Sequence, residues 1–402
     1  MHGGLRSVPA LVALTLHLWA ADARAQDQQL GARTKAMGGS YTAFEDDPVL
    51  VWLNPAGIAR QSDQMSIAYQ TYTAYTVHED PGVTSADPTR FTVEPETVLA
   101  EPEIIPSYLG FVFQLGRPES QMAMGICFAR PYNLTYAMGG LTGPGPASPE
   151  SSFEMEESLA RLRVAFAKDF RFRPAGEAGF LPHVSLGLGL DLGIERWKFS
   201  SPSGDRSGNS IAPGGGLGVL LGVYEDPESF LLNFGAAYQS AVSFDFAIDP
   251  ARLPAFDMPQ QLNAGLTLYL YGSFPLRVTV DFQWLDWSET AQEPNFPGYE
   301  TFEDATNLSL GFEYKLEAGE SVILLPRLGY RRFQAPWEDK DDLPATGAFK
   351  LVLDTDGETF DIATFGLGVS WTTEANKIRT IDVAGDVGGD SWNVAVGYTH
   401  EF

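Results

Sequence analysis

The stretch Ser391–Phe402, SWNVAVGYTHEF, carries the pattern that decides the fold. Successive side chains of an extended strand point to opposite faces. One face therefore holds Trp392, Val394, Val396, Tyr398, His400 and Phe402, and the other Asn393, Ala395, Gly397, Thr399 and Glu401. The first face is apolar with aromatics towards its ends; the second is small and polar. Asn307–Leu316 repeats the pattern, with Leu308, Leu310, Phe312, Tyr314 and Leu316 set against Ser309, Gly311, Glu313 and Lys315. So does Leu276–Trp284, where Leu276, Val278, Val280, Phe282 and Trp284 oppose Arg277, Thr279, Asp281 and Gln283. A water-soluble sandwich alternates as well. Three features favour lipid outside instead. The apolar faces end in aromatics, the opposite faces are rich in Gly, Ser and charge, and the runs reach about ten residues where soluble strands usually have five or six.

The same reading along the chain predicts strands near 64–77, 104–115, 121–136, 152–170, 183–199, 211–224, 230–247, 258–271, 276–288, 306–316, 321–333, 359–372, 377–386 and 390–402. That is an all-β, antiparallel transmembrane barrel of about 14 strands, an even number as single-chain outer-membrane barrels require. Short turns at 117–120, 225–228 and 317–320 alternate with longer connections at 78–103, 137–151, 289–305 and 334–358. The first set is expected in the periplasm and the second outside the cell.

Composition supports this placement. Residues 1–25 read as an export signal: Arg6, a largely apolar run from Val8 to Ala20, then Ala23-Arg24-Ala25 before Gln26. Its apolar core falls short of the roughly 20 residues a membrane helix needs, and no other segment supplies such a helix. Only closed barrels otherwise span lipid, so the expected location is the bacterial outer membrane. The single cysteine, Cys127, forms no internal disulfide and is expected to face the lumen. A formal net charge of −26 excludes nucleic acid as a partner, because phosphate binding needs a basic footprint. The acids cluster between strands, as in Glu79-Asp80 and Glu338-Asp339-Lys340-Asp341-Asp342, where loops meet water. An enzyme is not expected: after the signal only His78, His183 and His400 remain, without a nucleophile elbow, metal cluster or phosphate loop. No cofactor or metal is expected; the pair Asp46-Asp47 suits turns and caps better than a cation.

Ahead of the strands lies Gly31–Ala59, GARTKAMGGSYTAFEDDPVLVWLNPAGIA. It neither alternates nor runs apolar without a break. Its glycines and the turn Asn54-Pro55-Ala56-Gly57 give it a kinked course, since proline donates no ladder hydrogen bond. A segment of this kind leading into a barrel is a candidate plug. With Gly38, Gly39, Asp46, Asp47, Asn54, Pro55, Ala56 and Gly57, it resembles the hatch of the FadL/OMPP1/TodX family of outer-membrane transporters for hydrophobic compounds. Asp281-Phe-Gln-Trp284-Leu-Asp286-Trp287-Ser288, and Pro326-Arg327-Leu328-Gly329-Tyr330 followed by Pro336, are also similar to that family. The resemblance implies a signal at 1–25, a hatch at 26–63 and a 14-stranded barrel at 64–402. It further implies capture of a hydrophobic ligand at the outer loops, passage beside the hatch and exit sideways through the wall. The expected partners are long-chain fatty acids or hydrocarbons and outer-membrane lipid, with the chain acting as a monomer.

Candidate sites follow from phase. In that family a kink in the third strand opens the wall, and here Pro131 is placed to do so, or else to end the strand. Leu285 and Trp287, Trp197, and Tyr269 break the polarity of inward faces and are candidates for a hydrophobic path, against packing on the hatch. Arg161, Arg163, Arg327 and Arg331 lie at inward phase and are candidates for binding a carboxylate, although pairing with lumenal acids explains them more simply. Two rivals remain open. Type IX secretion shuttle barrels share the fold and a related Asn-Pro-Ala hatch and hold protein partners. An open porin would conduct ions steadily, which a seated plug would prevent.

Overall fold

The computed structural model describes residues 29–79, 95–116, 121–141, 151–174, 177–200, 205–244, 257–289, 303–334, 359–373, 375–388 and 391–402. The export signal expected over residues 1–25, the first residues of the expected hatch, the turn at 117–120 and the centres of the long outer connections lie outside the described residues.

Fourteen long strands follow one another: β1 Gln64–Glu79, β2 Pro95–Leu115, β3 Met122–Leu141, β4 Ser151–Arg171, β5 His183–Ser200, β6 Arg206–Asp226 and β7 Phe230–Gln239. Then come β8 Gln260–Leu270, β9 Leu276–Asp286, β10 Ala305–Tyr314, β11 Val322–Gln334, β12 Thr359–Thr372, β13 Ile378–Gly388 and β14 Ser391–Glu401. Two further two-residue strands, Gly179–Phe180 and Leu316–Glu317, pair beside β6 and β11 at the short-turn end. Each long strand pairs antiparallel with its sequence neighbour, and β1 pairs with β14 from Gln64↔Glu401 to Gln70↔Ala395, which closes the barrel. Closure leaves neither end strand of the sheet as an open edge, the condition for a sheet in hydrocarbon. Among the described residues no helix is long and apolar enough to cross a membrane.

Exposure decides between lipid and a soluble core, which alternation alone left open. The large apolar side chains are outside: Leu190 is 60% exposed, Leu217 56%, Leu328 64% and Phe365 50%. Their small and charged counterparts are inside, with Arg163, Glu195 and Ser185 fully buried. An aqueous protein would reverse this arrangement.

Strand lengths depart most from the sequence expectation in two places. The sequence places a loop over 78–103, but β2 begins at Pro95, because the β1–β2 ladder continues to Glu79↔Pro95. With 16 to 21 residues in β1–β4 against 10 to 13 in β7–β11, one side of the wall stands much taller than a bilayer requires. Conversely, β7 stops at Gln239 rather than running to 247. Beyond it the chain turns inward, so that Val242 meets Gly193 and Gly214 at lumenal positions and forms an isolated bridge with Met258. The inward turn buries Val242 and Phe244, which favours it.

The segment from Gln29 to Asp63 packs inside this wall. Short helices α1 (Ala32–Ala36) and α2 (Leu50–Leu53) and a 3₁₀ turn (Pro55–Ile58) account for its regular structure. Its residues touch opposite sides of the barrel: Met37 lies against Gly311 and Gly329 of β10 and β11, Pro55 and Ala56 against Gly187 of β5, Val51 against Gly125 of β3, and Thr42 against Gly235 of β7. Only a position within the lumen allows all four contacts. The largest buried cluster, including Leu30, Tyr41, Phe44, Leu50 and Trp52, belongs to this segment, together with inward wall residues such as Tyr108 and Val112.

Candidate functional site

The lumenal segment is held at both ends by wall residues that have no room for larger side chains. Gly187 and Gly218 are cross-strand partners on β5 and β6. A Cβ at Gly187 would stand 2.3 Å from Ala56 N, and one at Gly218 would stand 2.1 Å from Asn54 Oδ1. The pair forms a seat for Asn54-Pro55-Ala56. Within the turn, Asn54 is extended and its Oδ1 accepts from the Ala56 amide at 3.1 Å. Its Nδ2 donates to Thr42 O at 2.7 Å and to Val219 O at 3.1 Å. Asparagine caps the 3₁₀ turn with its oxygen and joins two other backbones with its amide, which an aspartate could not do. Gly57 packs where a Cβ would lie 2.7 Å from Leu50 Cδ1. Gly38, at φ +68°, and Gly39, at φ +87°, end α1 in the left-handed region that favours glycine.

Charge ties the other half. Arg33 bonds Glu313 of β10 at 2.9 Å and Asp46 at 3.1 Å, and Arg277 of β9 reaches the same Asp46 at 2.8 Å. Lys35 bonds Asp386 of β13 at 2.6 Å. Asp281 Oδ2 accepts the amides of Tyr41 and Thr42, both at 2.7 Å. The neighbours Asp46 and Asp47 titrate in opposite directions. Burial pushes Asp46 up, but Arg277 and Arg33 outweigh it and hold the carboxyl below its ordinary range. For Asp47 burial prevails over Arg33 and over the bonds from Val49 N and Tyr41 OH, so its value is raised.

On one side of β3 the ladder changes partner. The β2–β3 ladder ends at Tyr108↔Ala129. Above it, β1 takes β2's place and pairs with β3 in parallel from Ala74↔Thr135 to His78↔Gly139. Residues 130–134 of β3 thus lie between the end of one ladder and the start of the next, a window of about 17 Å at the rise of an extended chain. Pro131 lies in it. On the β4 side Ala129 faces Arg161 and Tyr132 faces Leu159, so Arg130 and Pro131 together oppose Ala160. This is a bulge, the setting in which proline is tolerated within a sheet. A second irregularity opposes it on β2, where Ser107 is extra between Ala68↔Tyr108 and Tyr69↔Pro106.

Behind the window lies an apolar cluster. Tyr132, next to Pro131, meets Trp287 edge to face with ring centroids 5.7 Å apart. Leu159, Val242, Phe244, Met258 and Leu285 complete its larger members. Two of the residues singled out for a hydrophobic path, Leu285 and Trp287, are therefore together. The other two are elsewhere. Trp197 packs on Gly208 further up β5, whereas Tyr269 lies near the short-turn end, under Arg277 at 4.3 Å and beside Phe44. There it lines a cavity of about 620 Å³ bounded by Arg33, Asp46, Arg277 and Glu313, in which each of these charges is paired.

The four inward arginines are also placed. Arg163 grips Asp191 with two bonds, at 2.6 and 2.7 Å, and donates to Trp52 O at 2.6 Å. Arg161 bonds Asp191 at 3.1 Å, Ser240 O at 3.1 Å and Met258 Sδ at 3.0 Å. Arg327 lies between Glu313 and Asp382, at 2.6 Å from each, and Arg331 lies over Phe333 at 4.9 Å. Cys127 is buried, as its inward phase predicts. Sequence reasoning overlooked the seat glycines and the inward turn carrying Val242, Phe244 and Met258. The first carry a legible signal, glycines at inward phase on adjacent strands; the second carries none.

No family model matches the sequence, and no curated protein matches it. Solved structures do match over nearly the whole chain. A Pseudomonas aeruginosa FadL homologue superposes with a TM-score of 0.57 at 12% identity, covering 92% of this chain and 98% of that one. The Pseudomonas putida toluene transporter TodX gives 0.57 at 14% identity, covering 93% and 99%. The Ralstonia pickettii toluene transporter TbuX gives 0.53 at 16% identity, again covering 93% and 99%.

Proposed function

We infer that this chain, built on the barrel fold of the FadL homologue and the TodX and TbuX transporters, is an outer-membrane channel for passive uptake of hydrophobic compounds. The lumenal segment 29–63 serves as its hatch, and the window at Pro131 is the exit into the bilayer. The observation that carries this reading is the coincidence of window and cluster: the bulge at Arg130 and Pro131 stands directly before Tyr132, whose ring meets Trp287. A greasy molecule gains by leaving water for such a lining, and a sideways exit spares it from crossing an aqueous lumen full of charge.

The ligand class is uncharged. Every nitrogen of Arg161 and Arg163, the guanidiniums next to the cluster, already has an acceptor. A fatty-acid carboxylate would meet guanidiniums whose charge Asp191 already shares, and would lose its own hydration in a buried site, which is costly. Hydrocarbons meet no such penalty. Long-chain fatty acids are the second reading, and a protein-holding shuttle the third; the closed apolar cluster favours neither.

The test is uptake of radiolabelled toluene, hexadecane and palmitate by cells lacking their own transporters. Toluene or hexadecane should enter with the intact protein and more slowly with Pro131→Ala, which restores a donor to the wall. A heat-modifiable, surface-assembled barrel that admits none of the three would refute the reading.

A further inference from the structure

We propose that Arg161 is a positioning residue that couples the apolar cluster to the hatch, so that a ligand displacing Met258 loosens Trp52 and the Asn54 turn behind it. The proposal rests on the uptake reading above. Its basis is an unbroken path of short contacts. Met258 belongs to the cluster of Tyr132 and Trp287, and its sulfur accepts from Arg161 Nε at 3.0 Å. Arg161 continues to Asp191 at 3.1 Å, Asp191 to Arg163 at 2.6 Å, and Arg163 to Trp52 O at 2.6 Å. Gln239 donates to that same carbonyl at 2.9 Å. There is also a direct step, because the guanidiniums of Arg161 and Arg163 stand 5.4 and 5.0 Å from the Trp52 ring.

Two observations assign a coupling role to this path rather than simple filling. First, Asp191 does not need Arg161, since Arg163 alone satisfies both carboxylate oxygens with bonds at 2.6 and 2.7 Å. Second, the contact that yields most readily is the one facing the cluster. A thioether is a weak acceptor on a flexible chain. Among the described residues, the isolated bridge to Val242, two backbone bonds of 3.0 Å, ties the backbone of Met258 to the preceding segment. A ligand entering beside Trp287 therefore moves Met258 before it moves any wall strand. Arg161 then loses one of its three partners and shifts over the Trp52 ring, two residues ahead of Asn54.

Hydrogen exchange read by mass spectrometry on the purified full-length barrel tests this, using peptides spanning 48–60. Met258→Leu keeps the volume but removes the acceptor, and should speed exchange there about fivefold, the factor at the low end for leaving a buried guanidinium N–H without its acceptor. Leu285→Ala empties more of the same cluster without touching an Arg161 bond, and should leave those amides within about twofold of wild type. Toluene at saturation should reproduce the Met258→Leu effect in wild type and add nothing in Arg161→Gln. If Met258→Leu and Leu285→Ala act alike on 48–60, the coupling is overturned. If neither toluene, hexadecane nor palmitate binds wild type, the uptake reading falls, while the comparison of the two cluster variants still decides the coupling.

Discussion

Gly187→Val tests whether the Asn54 turn closes the lumen. Gly187 faces inward on β5, and a Cβ there would stand 2.3 Å from Ala56 N and from the Pro55 carbonyl carbon. Ordinary contacts begin near 3.4 Å, and the obstacle is backbone, so the turn must retreat by about 1 Å. That retreat takes the 3.1 Å bond from Asn54 Nδ2 to Val219 O out of range and strains the Arg163 bond to Trp52 O. One such hydrogen bond lost and a second weakened, in a site with little access to water, cost about 2–4 kcal/mol together. The ratio of seated to unseated molecules should then fall by roughly thirtyfold to a thousandfold at 1.4 kcal/mol per tenfold. The assay is single-channel conductance in planar bilayers, with exchange of residues 48–60 as a second readout. Wild type should be nearly silent and Gly187→Val should open frequently, whereas Leu188→Ala, one residue along and facing lipid, should match wild type. A folded Gly187→Val barrel that is as silent and as protected as wild type would refute the seat.

Three further outcomes are expected. Asp281→Asn replaces a charged acceptor of two amides by a neutral one, which should weaken the hold on Tyr41 and Thr42 by about 1–2 kcal/mol and raise exchange at 38–44 roughly tenfold, with no change if those bonds are incidental. Asp46 is depressed when the hatch is seated, so its contribution is full above the free value of about 3.9 and is lost as pH falls through the seated value. The protection of 41–49 in wild type over Asp46→Asn should accordingly be present at neutral pH and vanish in acid; a pH-independent difference would contradict the clamp. Trp287→Ala removes the edge-to-face partner of Tyr132 and should cut hydrocarbon uptake about tenfold, while an unaltered rate would place the path elsewhere.

Much of the fold was legible because a membrane barrel writes its two environments into every second residue. Lipid demands apolar groups outside and the lumen demands small or polar ones inside, so Leu328 and Arg327 announce opposite faces. The turn at Asn54 was legible too, because Asn54-Pro55-Ala56 needs no distant partner to make it. Within the candidate site, the phase of Leu285 and Trp287 placed them inside but not together with Tyr132, and the phase of Tyr269 equally placed it inside, at the other end.

What the sequence determined by itself was local: period, strand count, the kinked N-terminal segment and the inward phase of the arginines. Tertiary structure alone decided the rest. It paired Arg163 with Asp191, set Gly187 against Ala56, exchanged β2 for β1 beside β3 above Ala129, and turned Val242 and Met258 inward. The reason is physical. Alternation depends on a residue and its two neighbours, whereas register, seats and windows depend on which residues closure of the barrel brings face to face, and one residue of slip would change them all.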